Sequence, residues 1–125
     1  MLEFSGVNMS TQPPEPLARQ HCKPCEGGVP KLTAEQIEQL SPQVPQWQVD
    51  PSGGAITRSW KFRDFVSAID FINRVARIAE QQQHHPDLHL TGYRHLRIAL
   101  TTHAIGGLSE NDFILAAKID ADAAA

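Results

Sequence analysis

The sequence predicts an α+β fold in which a four-stranded antiparallel sheet carries three helices packed on one face. Segments with a helical period alternate with segments in which every second residue is apolar, in the order α-β-β-α-β-β-α. Short turn sequences join the strands of each pair, which favours antiparallel neighbours. The chain has 125 residues, of which 41% are hydrophobic and 20% charged, and this composition suits one globular domain.

The first thirty residues differ from the rest of the chain because prolines recur there without any amphipathic period. We therefore predict a flexible leader over 1–30, dispensable for folding and activity, and a folded domain over 31–125. The leader contains a C-x-x-C pair, Cys22 and Cys25. Such a pair serves as a redox couple or as half of a zinc site, or the two cysteines simply lie in a flexible segment.

Local signals delimit the first half of the domain. Thr33 and Gln36 form a predicted capping box at the start of a short helix. Alternating apolar residues over 46–62, interrupted by turn residues at 51–54, predict a β-hairpin. Asp64 then caps the main helix, which should end near Gln83 or His84 because Pro86 disfavours helical geometry before it. Its predicted buried stripe consists of Phe65, Ile69, Ile72, Ala76 and Ala79.

The second half contains the other strand pair and the last helix. Residues 87–91 predict a short strand, and 93–102 alternate cleanly, so one face of this strand should be buried. The residues expected on that buried face are Leu96, Ile98 and Leu100. A glycine-containing loop follows, and the polar residues from Ser109 onward predict the start of the last helix.

Five of the six histidines lie within twenty residues: His84, His85, His89, His95 and His103. Histidine titrates near neutral pH, so such a cluster suggests proton transfer or metal binding. His84 and His85 stand at a helix-to-strand corner and His103 precedes a glycine loop, so these three are the candidates for one cleft. No H-x-E or H-E-x-x-H pattern accompanies them, and we expect no metal.

Composition and charge exclude several classes of protein. The net charge of −3 argues against a nucleic-acid-binding domain held by phosphate contacts. No apolar run approaches the ~20 residues that a membrane span requires. The first residues have neither a basic nor an apolar region typical of a secretory signal, so we expect a cytoplasmic protein.

The spacing of seven residues resembles the signature of the pterin-4a-carbinolamine dehydratase family. These residues are Glu80, His84, His85, Pro86, Tyr93, His103 and Asp112. The run 102–112 is also similar to that family's stretch between the last strand and the last helix, and the likeness extends over 31–120. The resemblance implies dehydration of 4a-hydroxytetrahydrobiopterin to quinonoid dihydropterin in pterin recycling, without a cofactor. It also implies a homodimer or homotetramer.

The resemblance assigns roles to individual residues. His84 and His103 are expected to be the acid–base pair, and His85 is expected to bind and orient the pterin. The substrate-binding candidates are Glu80, Trp47 and Asp112. Glu80, one helical turn before His84, is expected to orient that ring. Asp112 is either part of the site or a helix cap, and Trp47 either lies near the pocket or packs in the core.

Two alternatives come from the same resemblance. Some animal members of the family act as dimerisation cofactors of a transcription factor and need no histidines for that role. The presence of all three histidines favours an enzyme over such a binding protein. The same chemistry on another pterin is the second alternative, which the sequence cannot separate from the first reading.

Overall fold

The computed structural model describes residues 15–24 and 29–124. Its helices are α1 (Ala34–Leu40), α2 (Phe65–Gln82) and α3 (Glu110–Ala124), and its strands are β1 (Gln48–Val49), β2 (Ile56–Lys61), β3 (Asp87–Thr91) and β4 (His95–Leu100). The strands form one antiparallel sheet in the order β1-β2-β4-β3. The predicted fold class and element order are therefore confirmed. Among the described helices, none is long and apolar enough to cross a membrane.

The sheet buries one face against the helices. Leu96, Ile98 and Leu100 of β4 are fully buried, as the alternation predicts, and join one core with Phe71 of α2 and Phe113 of α3. The β4 residues between them are exposed or half-buried. The sheet is thus one-sided, and the even-numbered residues of β4 point toward the helices.

The buried stripe of α2 differs from the predicted one. The residues that are buried are Ala68, Phe71, Val75, Ala79 and Gln82, so only Ala79 belongs to both sets. Phe65 is instead about half exposed. Both stripes follow the helical period, so the period alone cannot choose between them. The choice follows from the aromatic contacts of Phe71 with Trp60 and Phe62 on the sheet side.

The turn between β3 and β4 shortens the predicted second strand. We predicted a strand from residue 93, but β4 begins at His95. Gly92 and Tyr93 both have positive φ angles, of 54° and 56°. Two such residues in succession are typical of the tight turn that matches the twist of a hairpin, and they exclude Tyr93 from the strand.

Part of the predicted leader packs against the domain. Residues 17–19 form a short 3-10 turn, and Leu17 is only 5% exposed within the core cluster. For the described residues 15–24 this differs from a loosely ordered segment, because an apolar side chain anchors the segment beside α3. Residues 1–14 and 25–28, which include Cys25, lie outside the described residues. The domain boundary at 31 stays a prediction.

Candidate active site at the ends of the long helix and the last strand

The C-terminus of α2 sets the direction of the histidine pair. Gln83 adopts the left-handed conformation (φ 53°, ψ 39°) directly after the helix. The amide of Gln83 donates to the carbonyl of Glu80, and the amide of His84 donates to the carbonyl of Ala79. These two hydrogen bonds form a Schellman motif at the end of the helix, although glycine is the usual residue at its left-handed position. The chain therefore turns sharply, and His84 and His85 no longer continue the helical spacing.

His84 turns inward and pairs with a buried carboxylate. Its Nε2 donates to Asp112 Oδ1 at 2.6 Å, with the two side chains 5% and 0% exposed. A carboxylate oxygen accepts hydrogen bonds, so Nε2 carries the hydrogen of this bond. Asp112 therefore holds both the orientation and the tautomer of the His84 ring, and it can stabilise the imidazolium when the ring takes up a proton.

Asp112 is itself fixed by a small hydroxyl network at the start of α3. Its Oδ2 accepts from the amide of Ser109 at 3.0 Å and from the hydroxyl of Thr102 at 2.8 Å. The Thr102 and Ser109 hydroxyls contact each other at 2.7 Å, and the Ser109 oxygen accepts from the amide of Asn111. Asp112 is thus a helix cap that also contacts His84, and its role in substrate binding stays a prediction.

His85 turns outward and pairs with Glu80 at the surface. Its Nε2 donates to Glu80 Oε2 at 2.5 Å, and the two side chains are 59% and 70% exposed. The expected contact of Glu80 with His84 is therefore wrong. An i, i+4 contact requires the helix to continue, and the turn at Gln83 carries His84 to the opposite side.

The three candidate histidines line one shallow cleft of about 190 Å³. Its lining consists of Gln83, His84, His85, Thr101, Thr102, His103 and Ala104. His103 reaches the cleft because Thr102 and Gly107 form an isolated bridge at the base of the loop. Gly106 closes that loop with a φ of 65°, which favours glycine. Three larger clefts among the described residues, of about 320, 390 and 410 Å³, contain no histidine.

The remaining candidates lie apart from this cleft. Trp47 is buried in the core, where its indole N–H donates to Asp120 Oδ1 at 2.8 Å and its ring packs edge-on against Trp60. It does not line the histidine cleft. His89 and His95 are exposed on β3 and β4. Within the ranges the structure describes, no group of three histidine, cysteine or acidic side chains converges on a point that could hold a metal ion.

Thr102 and Ser109 are site residues that the sequence reasoning missed. The alternation of β4 offered a signal for Thr102, because it continues the even-numbered series of buried residues beyond Leu100. A hydroxyl on a buried face needs a partner, and this requirement points to a nearby polar group. Ser109 and Asp112 also have the spacing of a capping box, which marks an inward-reaching carboxylate.

The chain is similar over most of its length to one family of known proteins. The family model described as pterin 4 alpha carbinolamine dehydratase matches residues 30–121. The chain is 49% identical over 105 residues to a Halorhodospira halophila protein and 50% identical over 105 residues to a Nitrosomonas eutropha protein. Both relatives are provisionally named pterin-4-alpha-carbinolamine dehydratase. The alignments cover 84% and 83% of this chain and 95% and 90% of those relatives.

A solved structure from Brucella melitensis, titled transcriptional coactivator/pterin dehydratase, is similar with a TM-score of 0.68 at 34% identity. The match covers 74% of this chain and 97% of that structure's chain. The resemblance inferred from the spacing of these seven residues is therefore confirmed over residues 30–121. This chain belongs to the pterin-4a-carbinolamine dehydratase family.

Proposed function

We propose that the protein dehydrates 4a-hydroxytetrahydrobiopterin to quinonoid dihydropterin as a step of pterin cofactor recycling. In this reaction the C4a–O bond breaks, the oxygen leaves as water after gaining a proton, and N5 loses a proton. One group must therefore donate a proton and another must accept one. The observation that carries the proposal is the convergence of His84, His85 and His103 on one cleft.

The surroundings of the histidines support different roles for them. His84 is fixed by a buried carboxylate, which suits a group that must change protonation without changing position. His103 lies exposed across the same cleft. We assign His84 and His103 to the acid–base pair. His85, exposed beside Glu80, is assigned to binding and orienting the pterin.

The size of the cleft bears on the choice of substrate. At about 190 Å³ it is smaller than the ~300–1,000 Å³ typical of pockets that enclose a drug-sized ligand. It would hold the reacting ring system and leave a side chain of the pterin outside. A cleft of this kind discriminates weakly between pterins that differ in that side chain, and the experiment should therefore include more than one pterin.

The test is steady-state kinetics on synthetic 4a-hydroxytetrahydropterins with single and double alanine variants. His84→Ala or His103→Ala should each lower kcat by ~10²–10⁴-fold, because a general acid or base acts in the transition state. His85→Ala should mainly raise KM. The matched control is His89→Ala, which removes an exposed histidine of β3 outside the cleft.

The double variant separates an enzyme from a binding protein. Changing His84 and His103 together should leave little beyond the spontaneous reaction, with or without a metal chelator. A folded double variant that keeps the wild-type rate would contradict the histidine mechanism and favour the non-catalytic alternative. If the protein prefers a pterin other than 4a-hydroxytetrahydrobiopterin, the histidine mechanism is retained and the substrate assignment changes.

A further inference from the structure

We propose that residues 15–24, here termed the N-terminal strap, position the His84–Asp112 pair by tying together the two helix ends that carry it. This inference rests on the proposed function, since it concerns the geometry of the same site. The strap lies outside residues 30–121, which the family model matches. The family match therefore does not account for this segment.

The first part of the strap is anchored along α3. Leu17 is buried in the core cluster, and Lys118 Nζ donates to the carbonyl of Ala18 at 2.8 Å. From there the strap proceeds toward the N-terminus of α3, where Lys23 contacts Asn111. The strap therefore runs antiparallel to α3 over the eight residues from Lys118 back to Asn111, about 10 Å of helix.

The second part of the strap bridges the two helix ends. The amide of Cys22 donates to Gln82 Oε1 at 2.8 Å, and Gln82 is the last residue of α2. The amide of Lys23 donates to Asn111 Oδ1 at 2.9 Å, and Asn111 Nδ2 donates back to the carbonyl of Lys23 at 2.7 Å. Two consecutive backbone units of the strap therefore connect the end of α2 to the start of α3.

The same gap is crossed by the His84–Asp112 hydrogen bond. His84 follows Gln82 by two residues, and Asp112 follows Asn111 directly. Helix ends are the parts of a helix most prone to local opening, because their backbone groups lack internal partners. Catalytic geometry requires placement to within ~0.5 Å. By restraining both ends, the strap holds the distance that this bond requires.

The experiment compares substitutions of Gln82 in the full-length protein. Gln82→Met removes the acceptor for the Cys22 amide at similar size, whereas Gln82→Glu retains an acceptor oxygen. The matched control is Gln81→Met, one residue earlier and exposed. The measurements are kcat and KM well below the melting temperature, and the proton NMR signal of the His84 ring N–H. The melting temperature of each variant is recorded separately.

We expect Gln82→Met to lower kcat by ~10-fold with KM within ~2-fold, and to weaken the ring N–H signal. Gln82→Glu should restore both, and Gln81→Met should match the wild type. Asn111→Asp keeps the acceptor for the Lys23 amide but sets a buried carboxylate oxygen against the Lys23 carbonyl, so it should lower kcat at least as much as Gln82→Met.

A lower melting temperature with unchanged kcat and an unchanged ring signal would overturn the proposal, because the strap would then only stabilise the fold. Wild-type protein without dehydratase activity would contradict the proposed function instead. The NMR signal would still decide the role of the strap in that case, since it reports the His84–Asp112 bond without any substrate.

Discussion

Two adjacent histidines each pair with a carboxylate, at nearly equal nitrogen–oxygen distances but in opposite surroundings. His84 contacts Asp112 at 2.6 Å, and His85 contacts Glu80 at 2.5 Å. The first pair is almost completely buried, whereas more than half of each side chain in the second pair is exposed. The distance between the ring nitrogen and the carboxylate oxygen is therefore not what separates the two pairs.

The difference teaches that burial, more than contact length, decides what such a pair does. Solvent and salt screen the exposed pair, whose worth is typically ~0–1 kcal/mol. The buried pair cannot exchange its partner for water, so loss of one member leaves an uncompensated polar group. Asp112 is further fixed by Ser109 and Thr102, whereas the side chain of Glu80 is largely exposed to solvent.

Removing the buried carboxylate should have the largest effect. Asp112→Asn keeps the shape of the side chain but loses its charge, and we expect kcat to fall by ~100-fold. We also expect the free energy of unfolding to fall by about 3 kcal/mol, since His84 loses its buried partner. Kinetics and urea denaturation measure the two quantities. Asp70→Asn, an exposed residue of α2, is the control, and equal kinetics in both variants would contradict the assigned role.

Loosening the buried pair without removing it should have a smaller effect. Thr102→Val removes the hydroxyl that donates to Asp112 and should lower kcat by ~10-fold and stability by about 1.5 kcal/mol. Thr102→Ser retains the hydroxyl and should stay close to wild-type kcat. The control for the loss of a hydroxyl is Thr57→Val, because Thr57 lies on the face of β2 that points away from the helices. A larger kcat loss in Thr102→Ser than in Thr102→Val would show that packing, not the hydrogen bond, matters.

A half-exposed carboxylate with a fixed partner gives an intermediate case. Asp64 caps α2 and accepts from the Ser67 amide at 2.8 Å, and hydrogen bonding from Ser67 lowers the pKa of Asp64 below its usual 3.8. Asp64→Ala should lower Tm at neutral pH by ~4 °C.

The pH dependence of that loss has a definite sign. Because the folded pKa of Asp64 is lowered, its contribution is present above about pH 3.8 and is lost as the pH falls through the folded value. Melting curves of Asp64→Ala and wild type should therefore converge below about pH 3.8. A Tm difference that stays constant at lower pH would contradict this cause.

Removing the exposed carboxylate of the histidine pairs should have the smallest effect. Glu80→Gln should change stability by less than ~0.5 kcal/mol and KM by less than ~3-fold, with kcat unchanged. The KM difference from wild type should shrink further at high salt, which screens the pair. A loss of kcat comparable to that of Asp112→Asn would mean that the two pairs act alike.

The element order and the motif positions were accessible from sequence because they depend on neighbours along the chain. Thr33 and Gln36 form the predicted capping box, and the alternation in β4 assigned Leu96 and Leu100 to the buried face. The phase of α2 was not accessible. Two stripes satisfy the same period, and only contact with the sheet selects Phe71 over Phe65.

The sequence by itself determined the fold class, the family and the three histidines that the cleft brings together, since period, capping and spacing are local properties. Only the tertiary structure decided which carboxylate each histidine meets. That pairing depends on the left-handed turn at Gln83 and on the approach of α3 to the end of α2. Asp112 lies 28 residues from His84, and no local rule connects residues at that separation until the sheet and both helices have packed.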